Sequence, residues 1–210
     1  MTDTVPVPTR LARRPRDHRG FVVPYFVATI NGEPDFRVIE PSVMADCVNN
    51  NRCWLCGDKM GVHLAFVLGP MCTINKLISE PPSHKECAEY ALKVCPFLTR
   101  PRMRRNEKGL PDQYVEAAGF HNDRNPGIMA LWITRSYQPF RPHAGRDGVL
   151  FRVGPYERVE WWKEGRRATR DEAVAALVEG YDVLAVEAAK EGALDELRSL
   201  MPAAMRTVPS

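Results

Sequence analysis

No run of apolar residues in this chain approaches the roughly 20 needed to cross a bilayer. The arginines near its start are not followed by an apolar stretch of signal-peptide type. Both absences lead to the expectation of a soluble, cytoplasmic protein with no membrane partner. Net charge is small: 29 lysines and arginines against 26 carboxylates leave +3 over 210 residues. So slight a surplus implies no nucleic-acid partner unless it is concentrated locally. Catalytic signatures are missing too. There is no phosphate loop, dinucleotide-binding glycine pattern, nucleophile elbow or zinc-protease helix. The deaminase pattern, a ligand His with Glu two residues on ahead of Pro-Cys-x-x-Cys, is absent, because here the two-cysteine pair comes first. His63, His121 and His143 are scattered. No catalytic residue is assigned, and the balance favours a protein that is not an enzyme.

What the chain does contain is cysteine at a telling spacing. Six cysteines could form three disulfides in a secreted protein, but 210 residues far exceeds the usual disulfide-stapled scaffold, so free thiols are expected. Cys53-Trp54-Leu55-Cys56-Gly57 has the two-residue gap of a zinc knuckle, where a tight turn ending in glycine lets both thiolates point at one ion. Ser83-His84-Lys85-Glu86-Cys87 supplies a second pair. Ser83 is a good N-cap and Glu86 completes a capping box. The pattern therefore predicts a helix with His84 at its first position and Cys87 one turn later. Knuckle, hairpin and helix describe a treble-clef-like module around one structural Zn2+ held by Cys53, Cys56, His84 and Cys87. Cys72 is the main competitor as a ligand, although its apolar run Met71-Cys72-Thr73-Ile74 suits a small buried hydrophobe. Cys47 and Cys95 are weaker competitors, Cys95 lying two helical turns beyond Cys87.

The positive charge gathers in two places. Arg10 to Arg19 reads as a polar, Pro-interrupted arm, mobile in the free protein and able to lie along phosphates. Arg100, Arg102, Arg104, Arg105 and Lys108 follow the zinc-site helix directly, with Pro101 preventing a continuous helix. Fixed guanidinium groups beside a rigid module can clamp phosphates; a solvated connector is the equally plain alternative.

With 44% hydrophobic residues the chain can bury a sizeable core, in one large domain or two small ones. Three regions are expected: a flexible basic arm over 1–20, a β-hairpin and zinc-binding module over 21–108, and a sheet-plus-helices part over 109–210. The fold class is α+β. In the second region, Phe21 to Ile30 reads as a strand with Asn31-Gly32 as a turn and Phe36 to Ile39 as the return. His63 to Leu68, Gly69-Pro70 and Met71 to Ile74 suggest a second hairpin, covered by a helix from about His84 to Cys95 that Pro96 ends. Residues 100–127 read as a loop-rich connection with room for a short helix around Gln113 to Ala118.

Strands resume over Gly127 to Thr134, and Val149 to Val153 and Arg158 to Trp162 form a hairpin through Gly154 to Glu157. Trp132, Phe151 and at least one of Trp161 and Trp162 belong in the core of such a sheet. Thr169-Arg170-Asp171-Glu172 is a capping box opening a helix that Gly180 ends, and a further helix covers about Val183 to Met201. Tyr156 to Ser199 carries eleven acidic and seven basic residues, a net of −4, so nucleic-acid contact belongs to the N-terminal half.

Two function classes follow. The first is a binding protein that touches nucleic acid or blocks a host protein. The second is a nucleic-acid-processing, nuclease-like enzyme built on the treble clef. That would need a catalytic His near the hairpin, and His63 is in the neighbourhood with Asn75 or Glu80 as companions. The usual Asp-His and Asn-x-x-x-His context is absent. Several strings, among them Cys53-Trp54-Leu55-Cys56-Gly57, Glu80-Pro81-Pro82-Ser83-His84-x-x-Cys87-Ala88, Cys95-Pro96-Phe97-Leu98, Arg100-Pro101-x-Met103-x-Arg105 and Val159-Glu160-Trp161-Trp162, resemble a family of uncharacterised bacteriophage and prophage proteins. The resemblance covers most of the chain after Gly20. It implies a phage-associated accessory protein in the bacterial host cytoplasm, and no particular activity.

Overall fold

A computed structural model of the protein describes residues 5–100, 125–142 and 148–210. It begins with a single helical turn, α1 (Thr9–Ala12), and a hairpin of β1 (Val27–Ile30) and β2 (Glu33–Ile39). The turn between them is Asn31-Gly32, with φ of 51° and 85°. Two successive positive φ values are what a two-residue hairpin turn requires, and Asn and Gly are the residues that tolerate them. The strand starts at Val27 rather than Phe21. Pro24 has no N–H to give a ladder, its carbonyl is taken by Arg14, and the Tyr25 N–H donates to the Leu55 carbonyl instead. Next comes α2 (Pro41–Asn49), a helix that the sequence reading did not anticipate. Proline at its first position presets the helical φ, and Val43 and Cys47, one turn apart, bury together against Trp54.

The second expected hairpin is half right. β3 (Leu64–Leu68) forms, but Gly69-Pro70 opens a helix, α3 (Pro70–Asn75), instead of a return strand. A Gly-Pro pair serves a helix start as well as a turn, because Pro at the first helical position gives up no hydrogen bond. The chain continues through β4 (Leu77–Ile78), α4 (Lys85–Val94) and α5 (Pro96–Thr99). The C-terminal part holds β5 (Ile128–Thr134), β6 (Tyr137–Phe140), β7 (Leu150–Val153), β8 (Tyr156–Lys163), β9 (Arg166–Arg167), α6 (Arg170–Glu191) and α7 (Leu194–Met205).

Besides the hairpin there are two antiparallel sheets, ordered β3-β5-β8-β9 and β4-β7-β6. β7 and β8 therefore do not pair with each other, contrary to the expected hairpin. The chain changes sheet at Arg135-Ser136 and changes back at Gly154-Pro155. These two crossings touch: the Gly154 N–H donates to the Ser136 carbonyl at 3.0 Å, and the Thr134 hydroxyl donates to the Pro155 carbonyl at 2.7 Å. Both sheets take strands from either side of residues 101–124, so the region of the cysteine pairs and the C-terminal part share one hydrogen-bonded framework.

All seven residues of β5 are buried, as expected for a central strand covered on both faces. On one face Phe66, Trp132 and Trp161 meet Phe151 of the smaller sheet together with α6 and α7. On the other, Met129, Leu131, Ile133 and Trp162 pack under Ala88 and Leu92 of α4. Trp132, Phe151, Trp161 and Trp162 are all core residues, as anticipated. The capping box at Thr169 is formed in full. The helix that it opens does not stop at Gly180 but continues to Glu191, and the left-handed Gly192 (φ 70°) separates it from α7. Gly180 is there for close approach to Pro70, not for termination.

Candidate metal centre

The knuckle is built by a return of the chain at both ends of Cys53 to Asp58. Arg52 bridges Lys59, the Cys53 N–H donates to the Asp58 carbonyl at 2.8 Å, and the Gly57 N–H donates back to the Cys53 carbonyl at 2.9 Å. Gly57 sits at φ 81°, and a Cβ there would stand 3.0 Å from the Tyr25 ring. Only glycine meets both demands. The second ligand pair arrives because Ser83 bridges Ala65 of β3 with two backbone hydrogen bonds of 2.8 and 2.9 Å. Ser83 is thus spent on the sheet and does not cap α4. His84 is the N-cap, one position outside the helix, without a side-chain cap bond. The expected capping box is absent, and Cys87 falls in the first helical turn with its thiol beside the knuckle.

Cys53, Cys56, His84 and Cys87 are all buried, and their ligand atoms lie within 4.8 Å of one another. Cys56 Sγ is 3.4 Å from His84 Nδ1. A tetrahedral ion with ordinary zinc bond lengths separates a sulfur and a nitrogen ligand by about 3.5 Å. The donor set and its spacing therefore fit a single divalent ion. The far nitrogen of the imidazole, Nε2, is 3.1 Å from the Lys59 carbonyl. Donating there aims Nδ1 at the thiols, which is the arrangement that orients a metal-binding histidine. Backbone N–H groups of Cys56 and His84 point at Cys53 Sγ at 3.5 and 3.3 Å. Such donors stabilise a thiolate.

The same contacts show in the acidities. The Cys53 thiol is pulled below its ordinary range chiefly by hydrogen bonds from Cys56 and Cys87. Cys87 is pushed up by sharing protons with Cys53 and Cys56. The Cys53 and Cys56 sulfurs hold His84 protonated up to about 10. A bound cation would displace that proton, so ion uptake is coupled to proton release.

The arm lies beside this centre, tied to Asp58 next to the knuckle and to Glu86 next to Cys87. Leu11 is 3% exposed and belongs to the same apolar cluster as Cys53, Cys56, Met60 and Cys87. Its arginines are spent within the protein. Arg10 reaches Asp58 at 3.4 Å and Glu86 at 3.1 Å, and Arg13 also pairs with Asp58. Arg14 lies over the Tyr25 ring and donates to the Val23 and Pro24 carbonyls. Arg16 donates to the Gly20 carbonyl and Arg19 pairs with Asp17. A further shell fixes the knuckle from the other side: the Tyr25 hydroxyl donates to Asp46 at 2.6 Å, Asp46 pairs with Arg52 at 3.0 Å, and Arg52 donates to the Gly57 carbonyl. Leu11, Tyr25, Asp46 and Lys59 were not singled out from sequence, since nothing local marks a residue that acts from a distant segment.

The remaining cysteines stand apart from the cluster. Cys47 is buried against Trp54, and burial pushes its thiol up to about 12; Cys72, packed beside the main core, is pushed up to about 11 for the same reason. Of the basic cluster after α5, Arg100 is exposed, while Arg102, Arg104, Arg105 and Lys108 lie outside the described residues. So do His121, His143 and the short helix anticipated at Gln113 to Ala118. His63 meets Glu157 at 3.3 Å, but on open surface, with side chains 60% and 38% exposed and Arg135 on the same carboxylate. No helix among the described residues is long and apolar enough to cross a membrane. No family model matches the chain, nor does any curated protein or solved structure.

Proposed function

We propose that Cys53, Cys56, His84 and Cys87 hold one zinc ion as a closed structural centre, and that the protein is a binding protein whose N-terminal half the ion stabilises. The observation that carries this reading is the convergence of four buried soft ligands from a knuckle and a helix start on one point, with α1 tied beside them through Asp58 and Glu86. Four protein ligands leave no position for water, so such an ion neither generates hydroxide nor polarises a substrate. Knuckle and helix make the module treble-clef-like, although β3 and Ser83 stand where the expected hairpin would be. A structural site of this kind contributes on the order of 10 kcal/mol to folding. The exposed His63–Glu157 pair lacks the enclosure that general-base chemistry uses, which weakens the nuclease alternative.

The partner proposed is nucleic acid, contacted through Arg100, Arg102, Arg104, Arg105 and Lys108; blocking of a host protein is the competing reading. The ion pairs within the arm favour this segment over residues 10–19, whose cations are already engaged. The resemblance to bacteriophage and prophage proteins is the ground for proposing an accessory role inside a bacterial host. Replacing Arg100, Arg102, Arg104 and Arg105 with Ala should weaken binding to DNA uniformly across sequences. The salt slope should flatten by roughly 0.9 per lost phosphate contact on duplex DNA. An unchanged slope and affinity would return the segment to a connector.

A further inference from the structure

A cleft of about 180 Å3 opens where α3, β5, the start of β8 and the end of α7 meet, lined by Thr73, Lys76, Trp132, Tyr156 and Arg206 with Pro155 and Ala203. It lies in a different part of the fold from the cysteine cluster, and its lining contains two cations and no carboxylate. Among the described residues neither Lys76 nor Arg206 makes an ion pair, and the Tyr156 hydroxyl makes no hydrogen bond. Both cations sit at helix C-termini, where a positive charge suits the helix dipole. That explains each singly but not their convergence on one cleft.

Lys76 carries the second observation. It is a non-glycine residue in the left-handed region, at φ 58°. A side chain in that region carries a backbone strain that glycine would avoid. The backbone holds it there from both sides. Its N–H donates to the Cys72 carbonyl at 2.8 Å, and its carbonyl accepts from the Val153 N–H at 2.9 Å. The ammonium therefore projects from a fixed point. Opposite, the Trp132 indole N–H is tied to the Gly154 carbonyl at 3.0 Å, and the Tyr156 ring packs edge-on to it at 5.0 Å, so the aromatic wall is rigid too.

We propose that this cleft binds the terminal phosphate of a phosphomonoester, with Lys76, Arg206 and the Tyr156 hydroxyl as donors and the aromatic wall against the group that carries it. Two cations and a phenol match a dianion with three free oxygens better than a carboxylate with two. At about 180 Å3 the cleft has room for one phosphoryl group and a few attached atoms. The rest of the ligand would lie outside, along the 40% exposed Tyr156. The proposal is independent of the metal and of the arginine cluster.

The test is calorimetric titration of the full chain with inorganic phosphate, a nucleoside 5′-monophosphate, the bare nucleoside, and an oligonucleotide with and without a 5′-phosphate. The phosphate-bearing probes should bind saturably and the bare nucleoside should not. Tighter binding of the phosphorylated oligonucleotide would assign the phosphate to a nucleic-acid end, and tighter binding of the monophosphate to a free small molecule; either is the expected chemistry. Lys76→Gly, which the backbone favours, should fold at least as stably and yet weaken phosphate binding by about tenfold or more, as should Arg206→Gln. Absence of saturable phosphate binding, equal affinity for the bare nucleoside, or unchanged affinity in both variants would overturn the proposal.

Discussion

Gly180, midway along α6, lies so close to Pro70 at the start of α3 that a Cβ on the glycine would stand 2.9 Å from the proline Cβ. Glycine inside a helix ordinarily costs roughly 0.5–1 kcal/mol relative to alanine. Overpacking a rigid neighbour costs about 1–3 kcal/mol. The second term is larger, and the proline ring cannot rotate aside. Gly180→Ala should therefore lower the melting temperature by a few degrees for a chain of this size. An unchanged or raised value in thermal denaturation would mean that α3 and α6 are not pressed together.

Leu11 and the ion pairs of Arg10 and Arg13 with Asp58 and Glu86 hold α1 over the cysteine cluster. Exposed pairs contribute little singly, so Leu11 should matter more. Leu11→Ala should release zinc to a chromogenic chelator faster than the parent protein, and Arg13→Ala only slightly faster. Equal release rates in all three would show that the strap does not guard the site.

Glu172 receives hydrogen bonds from Arg166, the Thr169 N–H and Lys163, and Arg166 chiefly holds its carboxyl well below the ordinary 4.5. A carboxylate with a depressed folded-state value stabilises the fold above its unfolded value and loses that contribution as pH falls further. Glu172→Gln should therefore reduce stability at neutral pH and flatten its decline below about 4.5. Parallel stability curves for the two proteins in acid denaturation would contradict the pairing.

The Cys/His cluster was legible because metal chemistry uses short spacings: Cys53 with Cys56 and His84 with Cys87 are local patterns, and the fold brings the two pairs together. Asn31-Gly32, the Thr169 capping box and the apolar run of β5 were readable for the same reason. The errors share a cause, a tertiary contact overriding a local signal. Ser83 pairs with Ala65 and so leaves His84 as the cap. Gly180 accommodates Pro70 and so does not end α6. Gly154 packs against Ser136 and sends β7 and β8 to different sheets. The internal partners of Arg10 and Arg13 were not legible because Asp58 and Glu86 lie some 45 to 76 positions away.

X-ray absorption at the zinc edge, on full-length protein purified without chelator, tests the proposed centre most directly. The spectrum should show one ion per chain with three sulfur ligands at about 2.3 Å and one nitrogen at about 2.0–2.1 Å. Cys72→Ala should leave the spectrum unchanged, whereas Cys56→Ala or Cys87→Ala should lose the ion and unfold the N-terminal half. A zinc-free protein, or an ion with two sulfurs and a coordinated water, would contradict a closed structural site formed by Cys53, Cys56, His84 and Cys87.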